Sequence, residues 1–219
     1  MISVVMLGAS GAVGGQVVAA LLAMPELERL TLLNRRPLPG DTDRRLTQHI
    51  VDVLDPRSYQ HLLAGHDCAV CTLGIGQPTK ADKAEFIRID KDAVVSFGTA
   101  CKQAGVRHFE LLGSVGADPK SGYFYLRIKG ELKDALTAMQ FPRLSFFQPS
   151  MILTPTNRYG TSQAIMLALW PMLKPLLIGP LRKYRGVRVE ALGAAMARNL
   201  VGQGAGVETL HWDDFQQLL

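Results

Sequence analysis

Ile2-Ser3-Val4-Val5-Met6-Leu7 runs directly into Gly8-Ala9-Ser10-Gly11-Ala12-Val13-Gly14-Gly15-Gln16. The first part is a short apolar run rich in β-branched residues, which reads as a buried strand. An apolar, helix-compatible segment, Val17 to Met24, follows the glycines. Strand, glycine-rich turn and helix together present backbone N–H groups and a helix N-terminus to a pyrophosphate. Gly8 would allow the tight turn, and Gly11 would admit a diphosphate where a Cβ would block it. Gly14 would let the helix pack closely on the strand. With Ser10, Ala12 and Val13 they form the expected dinucleotide cradle. The spacing is G-x-x-G-x-x-G, not the commoner G-x-G-x-x-G. A bland strand-to-helix turn is the alternative, and placement after an N-terminal strand favours the dinucleotide.

Outward from this stretch the chain alternates. Leu30 to Leu33 reads as a second strand, followed by Asn34-Arg35-Arg36. This position lies beside the adenosine ribose in a doubly wound fold. A carboxylate there suits NAD, and arginine accommodates the 2′-phosphate of NADP. Two arginines and no carboxylate predict NADP(H) over NAD(H), the alternative being two solvated loop charges. After a polar loop, Pro37 to Arg45, His49 to Val53 reads as a third strand. Asp52, beside Val53, either accepts a hydrogen bond from adenine or caps the helix expected over Ser58 to Ala64.

Asp67 to Leu73 reads as a fourth strand buried on both faces, and Leu73, Gly74 and Gly76 end it at the cofactor edge. Cys68 and Cys71 fall three apart on this strand, so they face opposite sides and read as core, not as a redox pair. A long helix over Thr79 to Ala104, strand Arg107 to Leu112, helix Tyr123 to Met139 and strand Leu144 to Gln148 follow, stopped by Pro149. The pattern predicts an α/β fold with a doubly wound parallel sheet. The chain is expected to form a single domain, 1–219, with 150–205 as a small irregular cap on the substrate side. Within that cap Arg182, Lys183, Arg185 and Arg188 read as a solvated basic face. Val187 to Leu200 suits a helix, Val207 to Leu210 a last strand and Trp212 to Leu219 a short terminal helix.

Composition narrows the function. A net charge of +5 over 219 residues suits an anionic small molecule and does not call for nucleic acid. Three cysteines are too few for a disulfide framework, and the five histidines lack zinc-ligand spacing, so no metal site is expected. The longest apolar candidate, Ala164 to Ile178, holds Lys174 and two prolines, so no membrane span is expected. A strand starting at residue 2 leaves no room for a secretory signal, and a cytoplasmic protein is expected. A protein partner or a homodimer remains compatible with the sequence.

Chemistry concentrates in Ser114, Tyr125 and Lys129. Tyr125-Leu126-Arg127-Ile128-Lys129 places a phenol and an ammonium four apart, on one helix face. A neighbouring positive charge favours phenolate, which suits a tyrosine to proton transfer near neutral pH. Ser114, after the fifth strand, is placed to polarise a carbonyl oxygen. Hydride from a nicotinamide and a proton from Tyr125 would reduce that carbonyl. Gly113-Ser114-Val115-Gly116 resembles a hydrolase elbow, but Leu112 stands where the first glycine belongs.

Gly8 to Gly14, Ser114 and Tyr125-x-x-x-Lys129 resemble the short-chain dehydrogenase/reductase superfamily. The G-x-x-G-x-x-G spacing and Phe147-Gln148-Pro149-Ser150 look like its atypical branch. Leu7 to Gly11, Gly65-His66-Asp67, Leu111 to Asp118 and Tyr125 to Glu131 resemble the oxidoreductase family named for a Tat-interacting protein, to about residue 155. The resemblance implies a Rossmann fold, NADP(H) binding, with Gln148, Pro149 and Ser150 near the nicotinamide, and reductase chemistry. The alternative is an NADPH-binding sensor with little turnover. Met151, Ile152, Leu153, Trp170 and Met172 suit a small, apolar substrate, core packing being the alternative. Two positions depart from the family pattern: Gly113 stands where a second serine is common, and Gln148 where arginine often precedes the proline.

Overall fold

The computed structural model describes residues 1–39, 43–75, 82–155 and 177–219. In chain order the strands and helices are β1 (Ile2–Leu7), α1 (Ala12–Leu22), β2 (Leu27–Asn34), β3 (Leu46–Ile50) and β4 (Cys68–Cys71). Then come α2 (Lys83–Ile87), α3 (Ala93–Gln103), β5 (His108–Leu112), α4 (Phe124–Ala138) and β6 (Arg143–Phe147). The last are β7 (Ile152–Leu153), β8 (Val187–Arg188), α5 (Val189–Asn199), β9 (Gly206–Leu210) and α6 (Trp212–Gln217).

Seven strands form one sheet in the order β3-β2-β1-β4-β5-β6-β9, every neighbouring pair parallel. The order reverses between β1 and β4, and crevices outside the carboxyl ends of strands at such a switch point are where ligands bind. β7 and β8 pair separately.

Side-chain alternation explains the layers. Val4 and Met6 of β1 share a core with Val17 and Leu21 of α1 and Leu192 and Met196 of α5. Val5 and Leu7, one residue out of phase, share the opposite core with Val94 and Phe97 of α3 and Leu132 and Leu136 of α4. Helices therefore cover both faces, and each fully buried aliphatic side chain contributes roughly 1.5–3 kcal/mol. Cys68 lies in the first core and Cys71 in the second, as strand alternation predicts. Burial pushes both thiols up to about 12, out of the reactive range. Helices α1 and α5 cross closely: a Cβ on Gly193 would lie 2.5 Å from Gln16 Cβ.

Several elements differ from the sequence reading. β2 begins at Leu27 because Glu28 and Arg29, although exposed, lie on the strand that pairs with β1. β3 is Leu46–Ile50 and not His49 to Val53; it is a half-exposed edge strand, so pairing with β2 defines it better than apolarity does. The helix expected over 58–64 is two 3₁₀ turns, Pro56–Ser58 and Gln60–Leu62. The long helix expected from Thr79 is described from Lys83, and a π turn, Arg88–Asp92, interrupts it. Gly76 and residues 156–176 of the substrate-side segment lie outside the described residues.

Candidate functional site

The glycine turn follows β1 directly. Gly8 has φ +96°, and a Cβ there would lie 2.5 Å from Leu73 N. A Cβ on Gly14 would lie 2.2 Å from Gly8 O, so only glycine lets α1 start this close to the strand. Gly11 N–H donates to Gly8 O at 3.0 Å, which commits that amide to the turn. Gly11 is the N-cap of α1, with no side-chain cap and no acidic residue in the first turn. The first N–H groups of a helix have no intrahelical partner, and the helix dipole is positive there. This end of α1 fits an anionic diphosphate.

Two cavities meet at this turn. The smaller, about 220 Å³, is lined by Gly8, Ser10, Gly11 and Ala12 from the turn, Asn34 and Arg35 from the end of β2, and Val53, Leu73 and Gly74 from loops. The larger, about 550 Å³, carries on past Val13 and Gly14 to Tyr125, Lys129 and Ser150. Thr72 lines both, and its Oγ1 donates to Gly8 O at 3.0 Å, pinning the turn to β4. Sequence reasoning missed Thr72; its signal is its place one residue before Leu73 in the strand-end segment.

Tyr125 and Lys129 share a face of α4, as their spacing predicts, and both wall the larger cavity. The Tyr125 ring packs on Phe86 with centroids 5.7 Å apart. Lys129 Nζ lies 6.0 Å from the Tyr125 ring centroid and donates to Asp90 Oδ1 at 2.8 Å. Asp90, also missed from sequence, lines the same cavity and is 2% exposed.

Other expected residues lie off the walls. Ser114 Oγ donates to Val115 O at 3.3 Å, and its neighbour Gly113 lines the larger cavity instead. Arg36 is exposed beside Arg35, outside the smaller cavity. Asp52 Oδ1 accepts from Leu54 N–H at 2.9 Å, closing a turn, and Asp55, not Asp52, caps the 3₁₀ turn that follows. Gln148 is buried, and its backbone N–H donates to Leu210 O at 2.9 Å, while the equally buried Pro149 accepts from Val115 N–H at 3.0 Å. Neither lines either cavity, whereas Ser150 lines the larger one. In the basic cluster, Arg182 pairs with Asp213 at 2.5 Å, and Arg185 lies over the Trp212 ring at 4.9 Å. Among the described residues no cluster of three or more potential metal ligands occurs.

A parallel sheet with a switch point, a glycine turn at an uncapped helix and a tyrosine–lysine pair along one crevice define a Rossmann-type nucleotide-binding protein. A family model described as NAD(P)H-binding matches residues 8–141. The chain belongs to that family, among the atypical short-chain dehydrogenases/reductases. It is 31% identical over 206 residues to Protein HTATIP2 of Rattus norvegicus, spanning 93% of this chain and 83% of that relative. Protein FMP52, mitochondrial, of Lodderomyces elongisporus is 26% identical over 192 residues, 80% of this chain and 81% of its own. MoeE5 in complex with UDP-glucuronic acid and NAD shares the fold with TM-score 0.72 at 17% identity, covering 95% of this chain and 75% of that one. Citrobacter sp. triphenylmethane reductase complexed with NADP(H) gives TM-score 0.66 at 17% identity, over 96% and 69%.

Proposed function

We propose that this chain is an NADPH-dependent reductase of a small, uncharged carbonyl compound. The observation that carries the reading is continuity: Tyr125 and Lys129 wall the same cavity as Gly11, Gly14 and the N-terminus of α1. A dinucleotide cradled at the turn would run along that cavity toward the phenol. A nicotinamide bound there would supply hydride to the carbonyl carbon. The Tyr125 hydroxyl gives its proton to the carbonyl oxygen, and Lys129 keeps a positive charge beside the phenol and within reach of the ribose. Ser114 holds the carbonyl oxygen only once its loop, as well as its hydroxyl, turns from Val115 O toward the cavity that Gly113 lines. Leu112, Met151 and Ile152 on the walls favour an apolar substrate. Arg35, at the end of a β2 that carries no carboxylate there, supports NADP(H) over NAD(H).

In this reading the protein acts in the cytoplasm. Among the described residues no helix is long and apolar enough to cross a membrane, and FMP52 carries "mitochondrial" in its own name. Cell fractionation checks the compartment.

The orientation of Ser114 favours a second reading, an NADPH-binding sensor with little turnover. One comparison separates the two. Under the reductase reading, Tyr125→Phe lowers NADPH oxidation with a panel of aldehydes, ketones and quinones roughly 100-fold or more, the general acid/base contribution. NADPH affinity stays within about twofold. Equal turnover by the variant removes Tyr125 from the chemistry. Tight binding without turnover of any carbonyl by the parent supports the sensor.

A further inference from the structure

Asp90 is a buried charge that the acid/base reading leaves without a task. It sits in the middle of the π turn Arg88–Asp92, an extra-residue turn that shifts the helix register. The turn brings Asp90 inward to 2% exposure, while Arg88 and Asp92 stay exposed. Both carboxylate oxygens are engaged. Oδ1 accepts from Lys129 Nζ at 2.8 Å, and Oδ2 accepts from Ile75 N–H at 2.7 Å. The carboxylate also lies hard against Gly74, where a Cβ would stand 2.9 Å from Oδ1. A second link, Lys91 Nζ to Glu131 Oε2 at 3.0 Å, joins the same turn to α4.

We propose that Asp90 is a positioning residue that fastens Lys129 to the Gly74–Ile75 main chain, so that one carboxylate sets both the acid/base helix and the strand-end turn walling the crevice. Only its effect on turnover rests on the reductase reading. The chemistry asks for aspartate specifically. Two donors, an ammonium and an amide N–H, converge on one side-chain end. A carboxylate offers an acceptor at each oxygen, whereas an asparagine offers one acceptor and one donor and satisfies only one of them. An ammonium in a buried site then takes the single oxygen, because charge-assisted bonds are the stronger. The Ile75 amide is released. Removing the ammonium as well returns the oxygen to Ile75.

The test uses the full chain as parent, Asp90→Asn, Lys129→Met and the double variant. The primary readout, hydrogen exchange of the Ile75 amide by NMR, needs neither nucleotide nor substrate. Asp90→Asn raises the exchange rate roughly tenfold, the worth of one lost hydrogen bond, and the double variant returns to within about threefold of the parent. A merely structural aspartate would give no such rescue. Unchanged exchange in Asp90→Asn, or a double variant exchanging as fast as Asp90→Asn, overturns the proposal. If Asp90→Asn does not fold, a folded double variant supports the pairing, and a double variant that also fails to fold overturns it. With any carbonyl the parent reduces, Asp90→Asn lowers kcat roughly tenfold while KM for NADPH stays within about threefold. A loss confined to KM contradicts positioning. A parent that neither binds NADPH nor turns over defeats the reductase reading alone, because the exchange result stands apart from it.

Discussion

Two buried ionic clusters are built from similar groups and open in different directions. Lys129 and Asp90 meet on the wall of a cavity of about 550 Å³, beside Tyr125 and in line with the glycine turn. Arg143, Glu208, Ser145, Asn199, Glu110 and His108 meet beneath α5 among β5, β6 and β9. There Arg143 Nη2 donates to Asn199 Oδ1 at 2.7 Å, and Asn199 Nδ2 donates to Glu110 Oε1 at 2.7 Å. Glu110 is 0% exposed, and burial holds its carboxyl well above the usual range. The second cluster ties the end of α5 and strand β9 to the sheet; the first faces a space that a ligand can enter. Buried charge therefore marks both, and access to the crevice separates chemistry from architecture.

The contrast can be broken most forcefully at Arg143. Arg143→Ala removes donors to Asn199 O, Gly202 O and Glu208, and leaves buried acceptors unpaired. It should cost ~3–5 kcal/mol in denaturant unfolding while NADPH affinity of the folded fraction stays unchanged. A variant that is fully stable but binds NADPH poorly would merge the two regions.

Cofactor choice comes next. Replacing Arg35 and Arg36 with alanine should weaken NADPH by roughly tenfold or more and leave NADH nearly untouched, as one or two lost charge-assisted phosphate contacts would. Equal losses in paired titrations would overturn the 2′-phosphate reading.

The last effect is on pH. Burial, with Arg143 nearby, holds the His108 imidazole down to about 3 against 6.5 for the free group. Below pH 6.5 the unfolded chain binds a proton that the folded chain refuses, so stability from His108 is complete above 6.5 and lost as pH falls toward 3. Glu110 acts oppositely: its raised carboxyl favours folding in acid, and that contribution is lost as pH rises above the usual carboxylate range. His108→Gln should flatten the acid side of the stability profile by up to about 1.4 kcal/mol per pH unit, measured by urea unfolding from pH 4 to 7. An unchanged slope would contradict the buried neutral imidazole.

How far the sequence reaches follows the same division. The glycine turn is a local device: Gly8 and Gly14 are needed by contacts within and beside one strand–helix unit, so their spacing exposes them. Tyr125 and Lys129 are legible because residues four apart on one helix share a face. Asp90 is not, because its partner is 39 residues away and a π turn inside a helical pattern brings it inward. Thr72 acts through a contact 64 residues distant, on Gly8 O. The direction of the Ser114 hydroxyl depends on loop geometry that residue types do not encode. The start of the edge strand β3 is hidden in the sequence because Thr47 and Gln48 lack the apolar signal that buried strands carry.

The most direct measurement is a calorimetric titration of the full chain with NADPH and NADH, repeated on Gly14→Ala, whose added Cβ would strike Gly8 O. The account predicts saturable binding of NADPH, tighter than NADH, and its loss in the variant. A parent with no affinity for either nucleotide, or a folded Gly14→Ala that binds as the parent does, would contradict it.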